Sequence, residues 1–396
     1  MEKTDNHIPS GYKPSPLGII PENWEVKRLG EICTHFKSGN TITSKEITEE
    51  GLYPVYGGNG LRGYSNTYTH EGNYILIGRQ GALCGNINYV EGKNYISEHA
   101  IAVQTNENMQ WLKYKLENWN LNRFSESSAQ PGLSVEKLAR YKLSVPTLKE
   151  QNKIADIVSL WDTGIAKQTA LIEKLALRKR GLMQQLLTGK KRLKGFEGVW
   201  KRIKLSDISE RITRKNEEDN QNVVTISAQR GFVVQTDFFN KSVASETLDN
   251  YFLVHKDEFC YNKSYSNGYP MGAIKRLKTF DKAVVTTLYI CFALKGETTT
   301  NIDFFEQYCE SGILNKELVK VANEGGRAHG LLNVTPTDFF NMHMSIPSIN
   351  EQNAIASVLV NADKEIEIQK QKLAAMQEQK KGLMQVLLTG KRRIRI

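Results

Sequence analysis

The sequence predicts an α+β protein in which two globular domains of mixed α/β structure are joined by two long helices. These helices are expected to pair as an antiparallel coiled coil with pseudo-two-fold symmetry. Three observations predict this fold class: a tandem repeat, an apolar heptad pattern within the repeated part, and short β-type runs between the repeated parts. With 396 residues, of which 40% are apolar, the chain is long enough for two or three packed domains.

The repeat is strongest in two segments that lie 201 residues apart. Residues 143–193 align without a gap with residues 344–394, and 21 of these 51 positions are identical. A fainter match joins residues 24–32 to residues 200–208, at an offset of 176. The inserts between these segments show no convincing similarity. A fixed frame with two divergent inserts indicates two readers of different targets on one scaffold; the alternative is an old duplication with ordinary drift.

Each strongly repeated segment begins in the way that helices begin. A proline precedes Thr147 in the first copy and Ser348 in the second, and it keeps the residue before it extended. Glu150 and Glu351 follow three residues after the hydroxyl, and this spacing predicts a capping box. Gly189 supplies a C-terminal stop in the first copy. The helix between them would be about 60 Å long at ~1.5 Å per residue.

Within each helix, apolar residues recur in steps of four and three, which predicts the seam of a coiled coil. Both seams are interrupted at equivalent places by a glutamine and a lysine, and polar seam residues usually fix register and orientation. We therefore expect the two helices to pair with each other, although two amphipathic helices packed on separate domains remain an alternative. The predicted seam consists of Ile154, Val158, Trp161, Ile165, Gln168, Leu175, Lys179 and Leu182 in the first helix, and Ile355, Leu359, Ile366, Gln369, Met376, Lys380 and Leu383 in the second.

The basic charge of the chain is concentrated in the repeated helices. The net charge is +10, and residues 146–194 and 347–396 together hold 20 of the 53 Lys and Arg but only 9 of the 43 Asp and Glu. Clusters near the helix ends are suited to DNA phosphates, to the negative ends of the helix dipoles, or to acidic partner subunits. The phosphate candidates are Lys190, Arg192, Lys391 and Arg392. The expected segments are a globular domain with an N-terminal arm (1–145), a long helix (146–190), a second globular domain (191–346) and a long helix with a basic tail (347–396).

The inserts combine short β-type runs with polar, glycine-containing loops. Such loops are good platforms for Arg, Asn and Gln, the side chains that make bidentate contacts with base edges in the major groove. Tyr side chains can add phosphate contacts. The alternative is that each Gly-Asn loop is only a hairpin turn. The candidate DNA-binding residues are Asn59, Arg62, Tyr64, Arg79 and Gln80 in the first insert, and Gln229, Arg230, Asn262, Lys263, Tyr265 and Asn267 in the second.

Sequence patterns of catalytic and metal sites are absent, so we expect no catalytic residue and no metal in this chain. There is no GxxxxGK[ST] loop and no Asn/Asp-Pro-Pro-Tyr/Phe run. His99 beside Glu98 lacks metal-ligand spacing and is interpreted as structural or solvated. The five cysteines form no CxxC pair, which favours free thiols. No membrane-spanning run or signal core is present, and a cytoplasmic location is expected.

Taken together, these motifs resemble those of specificity (S) subunits of type I restriction-modification systems. The resemblance rests on residues 12–24, 29–32, 146–155 and 181–189 and on their second copies, and it covers essentially the whole chain. It implies that each insert is a target recognition domain that reads half of a bipartite site in double-stranded DNA, with the coiled coil as a spacer. Methylation (M) subunits, two in number and using S-adenosylmethionine, and restriction (R) subunits, using ATP and Mg, would dock on the frame. The chain itself would bind no cofactor.

Three other interpretations stay open at this point. The chain could be a stand-alone duplicated DNA-binding regulator, or an orphan relative without restriction partners. It could be an enzyme with an unrecognised site. It could also be a coiled-coil scaffold that binds only protein.

Overall fold

The computed structural model describes residues 8–81, 83–125, 132–238, 248–296, 298–322 and 332–394. The chain forms two compact units, of which unit 1 comprises residues 1–169 and 371–396 and unit 2 comprises residues 170–370. Each unit therefore contains one globular domain and one half of each long helix. Within the described ranges, none of the helices has the length and apolar character that crossing a membrane requires.

Unit 1 contains mostly short strands, which form two four-stranded sheets and two two-stranded ladders. Its strands are β1 (Tyr12–Ser15), β2 (Gly18–Pro21), β3 (Glu25–Arg28), β4 (Cys33–Ser38), β5 (Tyr53–Gly57), β6 (Gly60–Ser65), β7 (His70–Glu71), β8 (Tyr74–Gly78), β9 (Ile87–Val90), β10 (Lys93–Ile96), β11 (Ala100–Thr105) and β12 (Lys142–Val145). The four-stranded sheets have the strand orders β4-β11-β8-β9 and β6-β5-β10-β7. Its helices are α1 (Leu29–Ile32), α2 (Met109–Asn118) and α3 (Val135–Arg140), followed by the first long helix α4 (Leu148–Leu186), which continues into unit 2.

Unit 2 is built from the same kinds of element. Its strands are β13 (Lys201–Lys204), β14 (Ser209–Ile212), β15 (Val224–Ser227), β16 (Gly231–Val234), β17 (Phe252–His255), β18 (Phe259–Asn262), β19 (Ala273–Arg276), β20 (Lys282–Val285), β21 (Ile290–Leu294) and β22 (His343–Ile346). Its helices are α5 (Leu205–Ile208), α6 (Gln235–Phe238), α7 (Ile302–Glu310), α8 (Asn315–Val321) and α9 (Pro336–Asn341), followed by the second long helix α10 (Ile349–Leu387), which continues into unit 1.

The two inserts share one topology, although their sequences showed no convincing similarity. The central sheet has the order β4-β11-β8-β9 in unit 1 and β14-β21-β18-β19 in unit 2. A two-stranded ladder joins β3 to β12 in unit 1 and β13 to β22 in unit 2. The hairpins β5–β6 and β15–β16 are also equivalent. Sheets of this kind require buried apolar residues but no particular ones, so the fold is retained while identity is lost.

Each long helix is shorter than the segment predicted for it. α4 ends at Leu186 and α10 ends at Leu387, and the chain turns at a glycine three residues later. Gly189 and Gly390 have φ angles of 69° and 75°, in the left-handed region that favours glycine and stops a helix. At the other end, the carbonyl of Thr147 accepts from Gln151 N at 2.9 Å, so Thr147 is the residue that caps the first turn. The first helix therefore occupies residues 148–186 and not 146–190.

Half of each long helix pairs antiparallel with half of the other inside each unit. In unit 1, Asp162 Oδ1 lies 2.6 Å from Lys380 Nζ, and a Cβ on Gly164 would lie 3.1 Å from the side chain of Met376. In unit 2, Lys179 Nζ lies 2.6 Å from Asp363 Oδ1. All residues of the predicted seam are buried or half-buried. The two seam lysines are therefore accommodated by aspartates on the facing helix.

The repeated Glu-Gln-Asn motif attaches each globular domain to a long helix. In unit 1, Gln151 Oε1 accepts from Asn108 N at 2.9 Å, Gln151 Nε2 donates to Pro146 O at 3.0 Å, and Asn108 Nδ2 donates to Asn152 Oδ1 at 2.7 Å. Asn108 also caps α2 by accepting from Trp111 N at 2.8 Å. Unit 2 repeats the three bonds of the motif at 3.0, 3.0 and 2.8 Å through Gln352, Asn301, Pro347 and Asn353.

The glutamates of this motif have partners other than those predicted. The capping-box spacing suggested that Glu150 and Glu351 bond the start of their own helices. Instead, Glu150 accepts from the indole nitrogen of Trp24 at 3.0 Å and from the guanidinium of Arg393 at 2.9 and 3.2 Å. Glu351 accepts from Arg192 at 2.5 and 2.6 Å. Both carboxylates are almost fully buried, so they require charged partners, which come from beyond the ends of the helices.

Candidate nucleic-acid interface

Three loops meet at one end of the central sheet in unit 1. They are the tip of the β5–β6 hairpin (58–59), the segment after β8 (79–80) and the segment before β11 (97–99), and we call them the first loop cluster. Arg79 N donates to His99 O at 2.9 Å. A Cβ on Gly58 would lie 2.8 Å from that same carbonyl oxygen and 3.3 Å from Gly78 Cα. Only glycine lets the hairpin tip approach this closely.

The same three connections form a second loop cluster in unit 2. It consists of the tip of the β15–β16 hairpin (228–230), the end of β18 with the residues after it (262–264), and the segment before β21 (286–289). A cleft of about 300 Å³ lies between these segments. Its polar lining consists of amide and hydroxyl side chains from Thr225, Ser227, Gln229, Asn262, Ser264, Ser266, Thr286 and Tyr289.

One backbone hydrogen bond fixes the equivalence of the two clusters. Arg79 O accepts from Leu133 N at 2.9 Å, and Lys263 O accepts from Leu332 N at 3.0 Å. Arg79 and Lys263 each follow directly after a central strand, β8 or β18. A basic side chain therefore stands at the same place in both units, within inserts that share no recognisable sequence.

In the first insert, the structure brings most of the candidate residues together. Asn59 and Gln80 are exposed in the first loop cluster, and Arg79 is half-buried there. Arg62 lies on β6 close to the hairpin tip, and its Cδ would be 2.6 Å from a Cβ on Gly57. Tyr64 is outside the cluster. It lies five residues from the tip, roughly 16 Å along the strand, and its main chain pairs with that of Thr48.

In the second insert, the candidate residues lie in the second loop cluster or within a few residues after it. Gln229 and Arg230 are exposed at the hairpin tip, and Tyr265 is 64% exposed. Gln229 Nε2 donates to Asn267 O at 3.0 Å, which ties the loop after β18 to this tip. Partial burial lowers the pKa of the amine of Lys263, which follows directly after β18.

Asn262 and Arg192 have structural partners that the sequence did not reveal. Asn262 Nδ2 donates to Ile226 O at 3.2 Å, and Asn262 Oδ1 accepts from Ser264 N at 3.0 Å. Both ends of its amide are therefore used inside the domain. Arg192 binds Glu351 with two nitrogens, and these hydrogen bonds raise the pKa of its guanidinium. The geometry favours a structural role for both residues over contact with DNA.

The remaining basic candidates lie at the ends of the long helices. Lys190, Lys391 and Arg392 are exposed and follow the last turns of α4 and α10. None of them is part of a loop cluster as defined above. They remain candidates for phosphates or for acidic partners.

Sequence reasoning missed the third loop of each cluster. His99 Nδ1 lies 3.1 Å from Gln80 Oε1, and His99 Nε2 lies 3.3 Å from Glu98 Oε1. In unit 2, the corresponding loop contributes Thr286 and Tyr289 to the cleft. The only sequence signal was the short connection between two strand-like runs. Among the described residues, no three His, Cys, Asp or Glu side chains are grouped as metal ligands.

The clusters present the chemistry needed to read base edges. The first offers guanidinium, amide and imidazole groups, whereas the second offers guanidinium, amine and amide groups beside a cleft lined with hydroxyls. These groups match the donors and acceptors that base pairs expose in the major groove. The two sets of side chains therefore differ in the hydrogen-bonding groups that they present.

Sequence comparison relates the chain to DNA specificity proteins. Residues 21–177 match the family model described as type I restriction modification DNA specificity domain. The chain is 44% identical over 161 residues to the type I restriction enzyme EcoprrI specificity subunit of Escherichia coli, in an alignment covering 38% of this chain and 40% of that subunit. It is 25% identical over 423 residues to the type I restriction enzyme MjaVIII specificity subunit of Methanocaldococcus jannaschii, covering 95% of this chain and 94% of that subunit.

Structural comparison agrees in fold. The crystal structure of a type I restriction-modification system S subunit from M. genitalium superposes with a TM-score of 0.57 at 15% identity, covering 98% of both chains. At this identity the likeness concerns the fold alone. The matched residues 21–177 include Trp24, Glu150 and the whole first loop cluster. The chain is thus similar over residues 21–177 to the type I restriction modification DNA specificity domain, and over nearly its whole length to a type I restriction enzyme specificity subunit.

Proposed function

We propose that this chain is the non-catalytic, DNA-reading subunit of a type I restriction-modification complex. Each loop cluster would read one half of a bipartite site in double-stranded DNA. The observation that carries this proposal is that one strand framework, present twice, holds two chemically different loop clusters at equivalent places. A single target would not require two different readers.

The proposed contacts divide between base edges and phosphates. In the first cluster, Arg79 and Gln80 are suited to base edges, since guanidinium and amide groups can distinguish base pairs in the major groove. In the second, Gln229 and Arg230 at the hairpin tip would offer an amide and a guanidinium to base edges, beside the cleft lined with hydroxyls. Lys263 and the lysines after the long helices would contact phosphates, which position the protein without selecting sequence.

We also propose that two methylation subunits dock on the repeated helices. Gly181 and Gly382 lie inside α4 and α10, where glycine costs about 1 kcal/mol relative to alanine. A Cβ on either residue would meet no atom within 4 Å, so packing within the described chain does not account for the glycine. Three residues later, Gln184 and Gln385 are exposed in both copies. A bare helix face present twice fits two copies of one protein partner.

Catalysis and its cofactors belong to the partners in this proposal. S-adenosylmethionine would be bound by the methylation subunits, and ATP and Mg would be used by the restriction subunits. The specificity chain would bind none of these. It would act in the cytoplasm, where the DNA of the host lies.

Mapping methylated adenines in the host genome, with and without this gene, tests the proposal. We expect a bipartite methylated motif that disappears when the gene is deleted and returns with a plasmid copy. An unchanged methylation pattern would contradict the proposal. So would methylation by the purified chain alone with S-adenosylmethionine, or DNA cleavage by the chain alone with ATP and Mg, because either result would make it an enzyme.

A further inference from the structure

Glu98, His99 and Gln80 form a row of polar side chains in the first loop cluster. Gln80 Oε1 lies 3.1 Å from His99 Nδ1, and Glu98 Oε1 lies 3.3 Å from His99 Nε2. Both neighbours of the imidazole present acceptor oxygens. Because Gln80 Oε1 can only accept, the proton of this hydrogen bond is on His99 Nδ1. The carboxylate of Glu98 lies beside the other ring nitrogen.

This row changes what Gln80 can offer to a base. A free glutamine side chain presents an acceptor and a donor together, and this combination pairs with N6 and N7 of adenine. Here the amide oxygen faces His99, whereas the amide nitrogen has no hydrogen bond to another described residue, and the side chain is exposed. Gln80 therefore presents donors outward. Guanine is the base whose major-groove edge offers two acceptors, O6 and N7.

The backbone holds the row in a fixed place. Arg79 N donates to His99 O at 2.9 Å, and Gln80 pairs with Gly132 in a β-bridge. The Oε2 atom of Glu98 is buried and has no hydrogen-bond partner among the described residues. Burying a carboxylate oxygen in this way costs free energy, so the fold alone gives no reason for an acid at position 98. Its contact with the ring of His99 gives one.

We propose that His99, held by Glu98, positions Gln80 as a donor-only reader of guanine in the half-site read by the first domain. This inference rests on the proposed function and adds to it a base and two positioning residues. Gln80 is the residue that touches the base. His99 and Glu98 act through it by fixing the orientation of its amide.

The experiment maps adenine methylation in host strains that express variants of the full chain. Gln80→Ala should relax one G·C position of the first half-site, with discrimination falling on the order of tenfold. His99→Leu should make the same position accept A·T as well as G·C, because the released amide oxygen can then accept from adenine N6. His99→Gln should keep the G·C preference, because its amide nitrogen can still donate to Gln80. Glu91→Gln, an exposed change in the same domain, is the matched control and should leave the motif unchanged.

Several results would overturn the positioning role. One is a His99→Leu motif that is identical to the wild-type motif at the position that Gln80→Ala relaxes. Another is an A·T pair at that position in the wild type, and a third is a Gln80→Ala variant that relaxes nothing. None of these results contradicts the proposed function, provided that exchanging the first insert still changes the first half-site. If the wild-type strain instead has no bipartite methylated motif that depends on this gene, the proposed function itself is wrong.

A folding defect does not remove the test. If His99→Leu does not accumulate as folded protein, Glu98→Gln replaces it. The amide no longer presents a carboxylate oxygen to the His99 ring, so His99 and Gln80 can reorient, and the G·C position should again admit A·T. An unchanged motif in folded Glu98→Gln would overturn the proposal.

Discussion

The two units hold their repeated tryptophans in different ways. Trp24 is fully buried, and its indole nitrogen donates to Glu150 at 3.0 Å. Trp200 is half-buried, and its indole nitrogen is buried without a partner among the described residues. The guanidinium carbon of Arg192 lies 5.9 Å from the Trp200 ring centroid. The same residue of the repeat therefore anchors unit 1 more firmly than unit 2.

The difference follows from what precedes each tryptophan in the chain. In unit 1 it is the β1–β2 hairpin, which adds Ile20 to the core around Trp24. In unit 2 it is the connection from α4, in which Val199 is 93% exposed. By contrast, Gln151 and Gln352 make two equivalent bonds each, and they differ only in a third, which Gln151 donates to Glu107 Oε2 at 2.7 Å and Gln352 donates to Thr299 O at 3.2 Å. The two copies of the repeat share the contacts that attach a domain to a helix. They differ in the packing around the tryptophan, which depends on the segment that precedes it.

The largest expected difference is between the two tryptophans. Trp24→Phe should lower the free energy of unfolding by about 3 kcal/mol, because it removes a buried hydrogen bond to a charged group and leaves a void. Trp200→Phe should cost less than about 1 kcal/mol, because it removes an N–H that has no partner. Urea unfolding of the full chain measures both values. Equal losses would show that the two sites are equivalent after all.

The glutamines of the repeated motif should behave alike. Gln151→Ala and Gln352→Ala each remove an amide that bridges a helix start and a domain, so each should cost about 2 kcal/mol. Gln184→Ala, which is exposed on α4, is the control and should change little. The measurement is again urea unfolding. A loss at only one of the two glutamines would contradict a frame shared by both units.

A buried lysine distinguishes the units in their response to pH. Lys115 donates to Ser144 Oγ at 3.1 Å and to Leu388 O at 2.5 Å, and burial lowers its pKa from 10.5 to about 7. The equivalent residue counted from the α2 and α7 caps is Tyr308, whose pKa burial raises from 10.0 to about 12. Only unit 1 therefore has a group here that changes its proton binding on unfolding between pH 7 and pH 10.

Between these pH values the unfolded chain holds a proton on Lys115 that the folded chain has lost. Stability should therefore rise with pH, with a slope of up to about 1.4 kcal/mol per pH unit. Lys115→Met should remove this contribution, and Tyr308→Phe should not alter it. Free energies of unfolding measured from pH 7 to pH 10 give the slopes. Parallel slopes for wild type and Lys115→Met would rule out a neutral buried amine.

The smallest expected effects are at the ion pairs between the long helices. Burial raises the pKa of Asp162, but hydrogen bonds from Lys380 and Tyr114 outweigh it and lower the pKa. In unit 2, Asp363 binds Lys179 and Gln307. Because the aspartates are partly exposed, Lys380→Met and Lys179→Met should each cost about 1 kcal/mol. The losses should shrink in 1 M salt, where the charges are screened, and a salt-independent loss would point to packing.

Much of the frame could be predicted from the sequence, because helix pairing leaves a periodic apolar pattern. The seam lysines were recognised only as interruptions, since Asp162 and Asp363 lie off the seam and their reach across it requires the folded helices. The common topology of the inserts could not be predicted from identity. Its strands need only be apolar, as in β8, where all five residues are buried.

The candidate site was predicted in part. Polar loop chemistry identified Arg79, Gln80 and Gln229, which the structure places in the clusters. Asn262 was predicted to be available to DNA. Its partner Ile226 O lies in a hairpin 36 residues away, so the residues around Asn262 could not reveal this hydrogen bond. His99 was dismissed for a similar reason, since its contact with Gln80 spans 19 residues and depends on the close approach of three loops.

Replacing residues 33–132 with the corresponding insert of another family member tests most directly whether one frame carries two independent readers. The matched exchange replaces residues 209–331. Methylated-motif mapping in the host should show a new first half-site and an unchanged second half-site for the first exchange, and the reverse for the second. A change in both halves from a single exchange, or in neither, would contradict the account.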